Sequence, residues 1–229
     1  MVSTKENLQV LFEDNHLLIV NKRAGDIVQG DKTGDTPLSE IAKAYIKDKY
    51  NKPGNVFLGV VHRLDRPTSG IVIFARTSKA LERLNKMLRD KEIEKTYWAV
   101  VKNKPQKDSD TLIGYLKKNS KNNKSTSFSS EVKGSKKAIL HYKITKQLDH
   151  YFLLEINLET GRHHQIRCQL AKIGSPIKGD LKYGFNRSNK DASIHLHAYR
   201  IDFMHPVKKT PISITAKPPN DPIWNACII

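Results

Sequence analysis

The stretch VVHRLDRPTSGIVIFA, from Val60 to Ala75, constrains the fold more than any other part of this chain. An apolar run ends at His62, a short polar turn presents Asp65 between two arginines, and an apolar run resumes after Gly70. The segment GIVIFA shows no alternation of apolar and polar residues, which is typical of a strand covered on both faces. The pattern predicts a buried strand with a charged turn at its start.

Strands predominate in the rest of the chain, and helices are interspersed among them. Val56–Val61 and the segments ILHYKITKQL and YFLLEINLET predict strands. Thr36-Pro37 opens one predicted helix, Ser78 caps a second, GRHHQIRCQLAKIG forms a third, and a Pro-rich tail closes the chain. Because no linker or repeat divides the sequence, we expect one α+β domain over residues 1–229.

The formal net charge of +17 is the strongest signal in the composition. An excess of this size favours a polyanionic partner, with nucleic acid ahead of a membrane surface. A merely basic protein is the alternative. The chain begins without the apolar core of a signal peptide, and no run approaches the roughly 18 apolar residues of a membrane span. The lack of both features, together with a content of only two cysteines, favours the cytoplasm.

The composition of the sequence changes between residues 102 and 137, where ten lysines occur with three acidic residues. Serine and asparagine are frequent there, and large apolar residues are few. We expect a mobile basic excursion with one short strand near Leu112–Leu116. A charge run is usually only solvated, and contact with RNA is the second interpretation.

Several classes of chemistry lack their motif in this sequence. The nine histidines form no recognised ligand spacing, and neither HExxH nor Cys-x-x-Cys occurs. His195 and His197 lie two residues apart on a predicted strand and are interpreted as structural histidines. There is no Walker loop, GxGxxG or nucleophile elbow, so we expect neither a metal nor a nucleotide cofactor.

Asp65 is the remaining candidate for catalysis. An aspartate beside arginines is more often a structural ion pair, but this one lies on a turn next to a buried strand, where side chains are presented. TGRHHQIRCQL has a similar form, with a glycine turn and then arginines at the start of a helix. If Arg167 met Asp65, it would keep the carboxylate ionised in an apolar pocket. Such a carboxylate suits nucleophilic attack or covalent trapping better than proton transfer.

The segment EKTYWAVV places Tyr97 and Trp98 side by side on a strand, so their side chains point to opposite faces. Core packing is the ordinary role of both rings. A flat ring beside a catalytic aspartate has a second use, because it can stack on an extruded base.

An ordered set of segments resembles the pseudouridine synthases of the RluA type. FEDNHLLIVNKRAG is similar to the family's opening, VHRLDRPTSGIVIFARTSKALERL to its catalytic motif and EKTYWAVV to its tyrosine strand. LETGRHHQIRCQLAKIGSPIKGDLKYG is similar to its third motif, and LHAYRIDFMHP to its closing strand. The resemblance covers nearly the whole chain, and its HRLD-x-x-TSG element is highly specific.

The resemblance implies a role for each matching residue. The catalytic aspartate falls on Asp65, the base-stacking tyrosine on Tyr97 and the aspartate-pairing arginine on Arg167. The arginine that helps to displace the target base falls on Arg63.

Two further residues complete the predicted site. We expect His62 and Ile166 to contribute to substrate binding.

The resemblance also implies a fold and a reaction. The fold is the pseudouridine synthase fold, a long, mixed, mostly antiparallel sheet with a central cleft, flanked by helices and loops. The reaction breaks the N-glycosidic bond of a uridine in RNA, rotates the uracil and rejoins it through carbon 5, without cofactor or metal. The sequence leaves open whether the carboxylate attacks the sugar, attacks the base or helps to form a glycal.

The sequence departs from the family pattern in three places. Arg23 stands where proline is usual, and His163 stands where threonine or lysine is commoner. The small N-terminal RNA-binding domain of many relatives, the S4 domain, is not expected, since the motifs begin almost at Leu8.

Two other functions compete with a uridine isomerase that acts on ribosomal or transfer RNA, most simply as a monomer. A non-catalytic RNA-binding protein or RNA chaperone on the same fold needs only basic and aromatic surface. A hydrolase acting on a glycosidic bond is weaker, because that chemistry usually needs two carboxylates.

Overall fold

Eleven strands and four α-helices lie in residues 2–31 and 33–228, the part of the chain that this computed structural model describes. In chain order the strands are β1 (Val10–Glu13), β2 (Leu17–Lys22), β3 (Gly59–Val60), β4 (Ser69–Ala75), β5 (Glu94–Val101), β6 (Ser109–Asn119), β7 (Lys124–Phe128), β8 (Lys136–Gln147), β9 (Phe152–Leu158), β10 (Leu196–Met204) and β11 (Pro211–Thr215). The helices are α1 (Leu38–Lys49), α2 (Ser78–Arg89), α3 (Gln165–Lys172), α4 (Pro222–Ile228) and the short 3-10 helix Leu181–Tyr183. Within the described residues, no helix combines the length and apolar character needed to cross a membrane.

The chain divides into two compact units, and the first consists of the chain up to Lys95 together with Ala198–Pro219. Its strands follow the order β1-β2-β4-β10, with β3 beside β4 and β11 beside β10. β1 pairs antiparallel with β2, β2 and β3 pair antiparallel with β4, and β10 pairs antiparallel with β11.

Strand β4 is the centre of this first unit, and all seven of its residues are buried. Val72 and Phe74 pack in one apolar cluster with helix α1, while Ile71 and Ile73 pack in another with helix α2. Because neighbouring residues of a strand point to opposite faces, the two helices cover both faces of β4. The prediction that GIVIFA is a strand covered on both faces is confirmed.

Gly70, at the start of β4, has a φ of +116°. A Cβ atom there would lie 2.4 Å from the backbone nitrogen and oxygen of Ala198. We expect Gly70→Ala to lower the free energy of unfolding by more than about 3 kcal/mol, because a strained φ and a backbone overlap act together. Denaturant unfolding measures this change.

The matched control for Gly70→Ala is Gly54→Ala, because a Cβ atom on Gly54 meets nothing within 4 Å. It should change the free energy of unfolding by no more than about 0.5 kcal/mol. A Gly70→Ala protein as stable as this control would contradict the packing described for β4.

Helix α2 begins one residue before the predicted cap. The N-cap is Thr77, whose side chain accepts a hydrogen bond from the Ala80 nitrogen at 3.2 Å, and Ser78 is the first helical residue. The prediction that Ser78 caps the helix was therefore wrong by one position. Threonine and serine both offer the hydroxyl that a cap needs, so the sequence alone does not separate them.

The second unit consists of Thr96–His197 and the residues from Asn220 onward. Its strands follow the order β5-β9-β8-β6-β7, and each neighbouring pair is antiparallel. Helix α3 packs on one side of this sheet, where its Cys168 lies in an apolar cluster with Leu116, Ala138 and Tyr183. This side is called the α3 face below.

Residues 102–137 contain more regular structure than the sequence predicted. The strand expected at Leu112–Leu116 extends over all of β6, β7 follows it as a hairpin, and β8 begins at Lys136. The expectation of a single short strand was wrong, because the ends of β6 and most of β7 are polar on both faces and so show no alternation. The predicted mobility of this segment stays a prediction.

The predicted Pro-rich tail forms strand β11 and helix α4 instead. The Asp221 carboxylate accepts hydrogen bonds from the Ile223 and Trp224 nitrogens at 2.9 and 3.0 Å and so caps α4. Trp224 is buried against Val100 and Leu153. The sequence signal was the Asp-Pro pair ahead of an apolar run, which marks the start of a helix.

Candidate active site

Asp65 lies on the turn between β3 and β4. The Thr68 nitrogen donates to the Asp65 carbonyl oxygen at 3.0 Å and closes the turn, and the Gly25 nitrogen donates to the Arg66 carbonyl oxygen at 2.8 Å. Leu64 packs against the apolar cluster under helix α1. The turn is thus fixed from two sides, and it holds the half-buried Asp65 side chain on rigid backbone.

Lys22, the last residue of β2, is buried beneath this turn. Its side-chain nitrogen donates to the carbonyl oxygens of Arg23, Arg66 and Thr68 at 2.9, 3.2 and 2.7 Å. Three acceptors match the three N–H groups of an ammonium. Lys22 therefore joins the end of β2 to both sides of Asp65 in the turn.

Sequence reasoning missed Lys22, although the sequence carried a signal. Leu18, Val20 and Lys22 alternate along β2, and all three are buried. A lysine that continues the buried side of a strand must find internal acceptors. The loop carbonyls that serve as acceptors are visible only in the folded chain.

Burial lowers the pKa of Lys22 from its ordinary 10.5 to about 7, although the carboxylates of Asp26 and Asp65 oppose this shift. The Asp26 carboxylate is itself held by the Ser3 backbone nitrogen at 2.9 Å and the Ser3 hydroxyl at 2.7 Å. Because the Asp65 carboxylate is among the charges that act on Lys22, the two side chains lie close enough to interact electrostatically.

The lowered pKa of Lys22 predicts a dependence of stability on pH. In the unfolded chain this lysine stays protonated up to about pH 10.5, whereas in the folded protein it loses its proton near pH 7. The unfolded state binds the extra proton between these values, so the contribution of Lys22 to the free energy of unfolding rises with pH in this window. We expect the stability of the wild type relative to Lys22→Met to increase from pH 7 to pH 10 in chemical unfolding, and a constant difference would contradict it.

The two neighbours of Asp65 in the HRLD segment have different environments. The His62 Nε2 atom accepts a hydrogen bond from the Ile73 nitrogen at 3.2 Å, and burial lowers the pKa of His62 to about 3. His62 is therefore a neutral ring that braces strand β4. Arg63 is exposed. The predicted part of both in substrate binding stays a prediction.

Arg66, the second arginine beside Asp65, contacts a different carboxylate. Its Nη1 atom lies 2.7 Å from an Asp35 carboxylate oxygen, and its Nη2 atom donates to the Thr33 hydroxyl at 2.9 Å. These contacts lie on the exposed side of the turn, where an ion pair contributes little to stability.

Tyr97 and Trp98, the aromatic pair of β5, take different positions in the second unit. Tyr97 lies opposite Ile156 of β9 and is 8% exposed. Trp98 packs with Val100, Leu153 and Trp224 in an apolar cluster, so its role is core packing. Base stacking by Tyr97 stays a prediction.

Arg167, on helix α3, is held by a buried carboxylate that sequence reasoning did not identify. Its Nε and Nη2 atoms donate to the two oxygens of Asp180 at 2.7 and 2.9 Å. The two side chains are 5% and 1% exposed. Such a bidentate contact fixes the plane of the guanidinium. Ile166, next to Arg167, is buried. The predicted contact of Arg167 with Asp65 stays a prediction.

Tyr183 completes the support of Arg167. The guanidinium carbon lies 5.1 Å from the centre of the Tyr183 ring, and the Tyr183 hydroxyl accepts from the Ser125 nitrogen at 2.8 Å. The same hydroxyl lies 3.0 Å from His164 Nδ1. Burial raises the pKa of Tyr183 to about 12, so the phenol keeps its proton at neutral pH. Asp180 and Tyr183 lie in the quoted segment KGDLKYG, but nothing local in it indicates which arginine they support.

Two histidines near the end of the chain, His195 and His205, have structural partners. His195 lies 3.3 Å from an Asp221 oxygen and stacks on Trp224, and His205 lies 3.0 Å from an Asp14 oxygen. In residues 2–31 and 33–228, no group of three or more His, Cys, Asp or Glu side chains is arranged to hold a metal ion.

Comparison with known protein families gives a match that covers more than half of this chain. The sequence model of the family RNA pseudouridylate synthase matches residues 16–172 of this chain. The matched range contains Asp65, Tyr97 and Arg167.

Three curated relatives align over most of the chain. It is 32% identical over 228 residues to ribosomal large subunit pseudouridine synthase D of Zymomonas mobilis, covering 93% of this chain and 70% of the relative. It is 36% identical over 219 residues to ribosomal large subunit pseudouridine synthase C of Buchnera aphidicola, covering 92% and 67%. It is 29% identical over 228 residues to tRNA pseudouridine synthase C of Pectobacterium carotovorum, covering 92% and 59%.

Two solved structures share the fold. Human RNA Pseudouridylate Synthase Domain Containing 4 superposes with a TM-score of 0.79 at 20% identity, covering 96% of this chain and 92% of that one. Human RNA Pseudouridylate Synthase Domain Containing 1 gives a TM-score of 0.76 at 21% identity, covering 99% and 90%. The predicted α+β fold class is confirmed.

Proposed function

This chain belongs to the RNA pseudouridylate synthase family, and from that premise we propose that it converts specific uridines of ribosomal or transfer RNA to pseudouridine. The bond from the ribose carbon 1′ to uracil nitrogen 1 breaks, and a bond from carbon 1′ to uracil carbon 5 forms. Carbon 5 loses a proton and nitrogen 1 gains one, so the reaction is an isomerisation. We further propose that the protein acts as a monomer in the cytoplasm, without cofactor or metal.

One observation carries this proposal: the HRLDRPTSG segment lies inside the family match, on a turn that buried Lys22 fixes from below. A rigid turn favours chemistry that needs one carboxylate in one orientation. Asp65 is the proposed catalytic residue, which adds to the sugar or the base, or assists formation of a glycal.

The surrounding residues have proposed roles in binding the flipped nucleotide. A uridine in structured RNA must leave its stack, at a cost of a few kcal/mol. Exposed Arg63 is suited to fill the space that the flipped uracil leaves in the base stack, or to bind a phosphate. Tyr97 is proposed to stack on the flipped uracil. Arg167, fixed by Asp180, is proposed to keep Asp65 ionised and oriented. His62 and Ile166 shape the surrounding pocket in this proposal.

A nucleoside assay tests the proposal. Ribosomal and transfer RNA from cells that lack the protein are incubated with the purified protein, digested to nucleosides and separated by chromatography with mass detection. The proposal predicts pseudouridine in excess of the untreated RNA and no free uracil. Free uracil would indicate a hydrolase, and tight binding without either product would indicate a non-catalytic RNA-binding protein.

A further inference from the structure

The sheet of the second unit has one face that α3 does not cover. A Cβ atom on Gly114 of β6 would lie 3.9 Å from the Gln169 side chain of α3, so this position points to the α3 face. Because neighbours on a strand point to opposite sides, Ile113 and Tyr115 point away from α3. Helix α4 covers this side at strands β5 and β9. The remaining part of this side, formed by β6, β7 and β8, is called the open face.

Cross-strand pairing defines the central part of the open face. Ile113 lies opposite Ile139 of β8, and Tyr115 lies opposite Phe128 of β7 and Lys137 of β8. Residues directly opposite one another on antiparallel strands share a face at short distance. Three neighbouring strands therefore place two aromatic and two aliphatic side chains in one patch.

This apolar patch is accessible to solvent. Ile113 is 60% exposed, and Tyr115, Phe128 and Ile139 are only half-buried. Contiguous apolar patches on an exposed face are a common feature of binding surfaces.

Lysines border the aromatic pair. Lys137 is directly opposite Tyr115, Lys117 is two positions further along β6 on the same face, and both are exposed. Among the residues that the structure describes, neither ammonium has a carboxylate within salt-bridge distance, whereas Lys143 at the other end of the face pairs with Glu155 at 2.9 Å. Positive charge without a local counter-ion therefore lies at the aromatic end of the patch.

We propose that the open face binds single-stranded RNA, with bases stacked on Tyr115 and Phe128 and phosphates bound by Lys117 and Lys137. Aromatic rings stack on any base, and lysines beside them bind the backbone, so this combination suits a single strand without sequence preference. Charge favours RNA over an apolar partner. The inference goes beyond the proposed function, because Tyr97 and helix α3 with Arg167 belong to the other side of this sheet.

The test uses the full-length protein and a short oligouridine that carries a fluorescent label. Lys117→Glu/Lys137→Glu should lower the slope of log affinity against log salt concentration by about 1.4, since each phosphate contact on a single strand contributes about 0.7. Tyr115→Leu keeps the apolar bulk but removes the ring, and it should weaken binding about tenfold. The matched control is Lys52→Glu/Lys79→Glu, which reverses two exposed lysines of the first unit and should leave both quantities unchanged.

Photocrosslinking locates the bound strand independently of turnover. With 4-thiouridine in the oligomer, the proposal predicts crosslinked peptides from Ser109–Asn119, Lys124–Phe128 and Lys136–Gln147. Crosslinks confined to other peptides, or equal weakening by the control pair, would overturn it. Unchanged oligouridine binding by the open-face variants would also overturn the proposal. If these variants instead lost self-association or binding to an acidic protein, the open face would be assigned to a protein partner.

Discussion

Asparagine at position 65 is expected to lower the rate of pseudouridine formation by more than about a thousandfold, because the amide cannot act as a nucleophile or trap a carbocation. The substitution keeps the shape of the side chain. The backbone contacts of the turn, from the Thr68 nitrogen and from the Lys22 ammonium, do not involve the carboxylate. Affinity for RNA should therefore stay within about threefold of the wild type, because lysines and arginines elsewhere supply the phosphate contacts.

The matched control for Asp65→Asn is Asp48→Asn, which removes one negative charge from an exposed position of helix α1. It should leave turnover and RNA affinity unchanged. Turnover is followed by digestion to nucleosides, and affinity by filter binding at fixed salt. More than about a tenth of wild-type turnover in Asp65→Asn would exclude the proposed role of this carboxylate.

Lys22→Met is expected to have the second largest effect, on stability and on turnover together. Methionine fills the volume but leaves the carbonyl oxygens of Arg23, Arg66 and Thr68 without their donor. Buried acceptors without donors cost about 1–3 kcal/mol each, and removing the cost of burying and deprotonating the Lys22 amine offsets part of this. We expect the free energy of unfolding to fall by about 3 kcal/mol at pH 8.

Loss of the Lys22 contacts should also displace Asp65, since two of the three carbonyls belong to its turn. Small displacements of a catalytic group cost about a hundredfold in rate, so we expect the turnover number to fall by that factor in the fraction of protein that is folded. Lys52→Met, at an exposed position, is the control for both measurements. A Lys22→Met protein with normal turnover would show that the turn does not depend on this lysine.

The candidate site was predictable where its chemistry is local in sequence. Asp65 could be found because a buried strand, a turn and a charged residue are contiguous there. Lys22 could not be assigned, because its acceptors come from residues 23, 66 and 68, which only the fold brings together. Asp180 was missed for the same reason, since its contact with Arg167 joins residues 13 positions apart along a helix and a loop.

The fold was predictable where burial is strong. β4 is buried on both faces, so its composition is apolar throughout and its assignment followed directly. The ends of β6 and most of β7 are polar on both faces, so these stretches resemble a loop in the sequence. Helix α4 was missed because prolines upstream dominated the interpretation, although Asp221 and Pro222 mark its start.

Release of tritium from uridine carbon 5 tests the central claim most directly. RNA labelled at that carbon is prepared from cells that lack the protein and incubated with the wild type or with Asp65→Asn in parallel. The account predicts release of tritium to water by the wild type, in proportion to the pseudouridine formed, and none above background by Asp65→Asn. No release by a wild-type protein that binds this RNA tightly, or equal release by both proteins, would contradict an Asp65-dependent isomerisation of uridine.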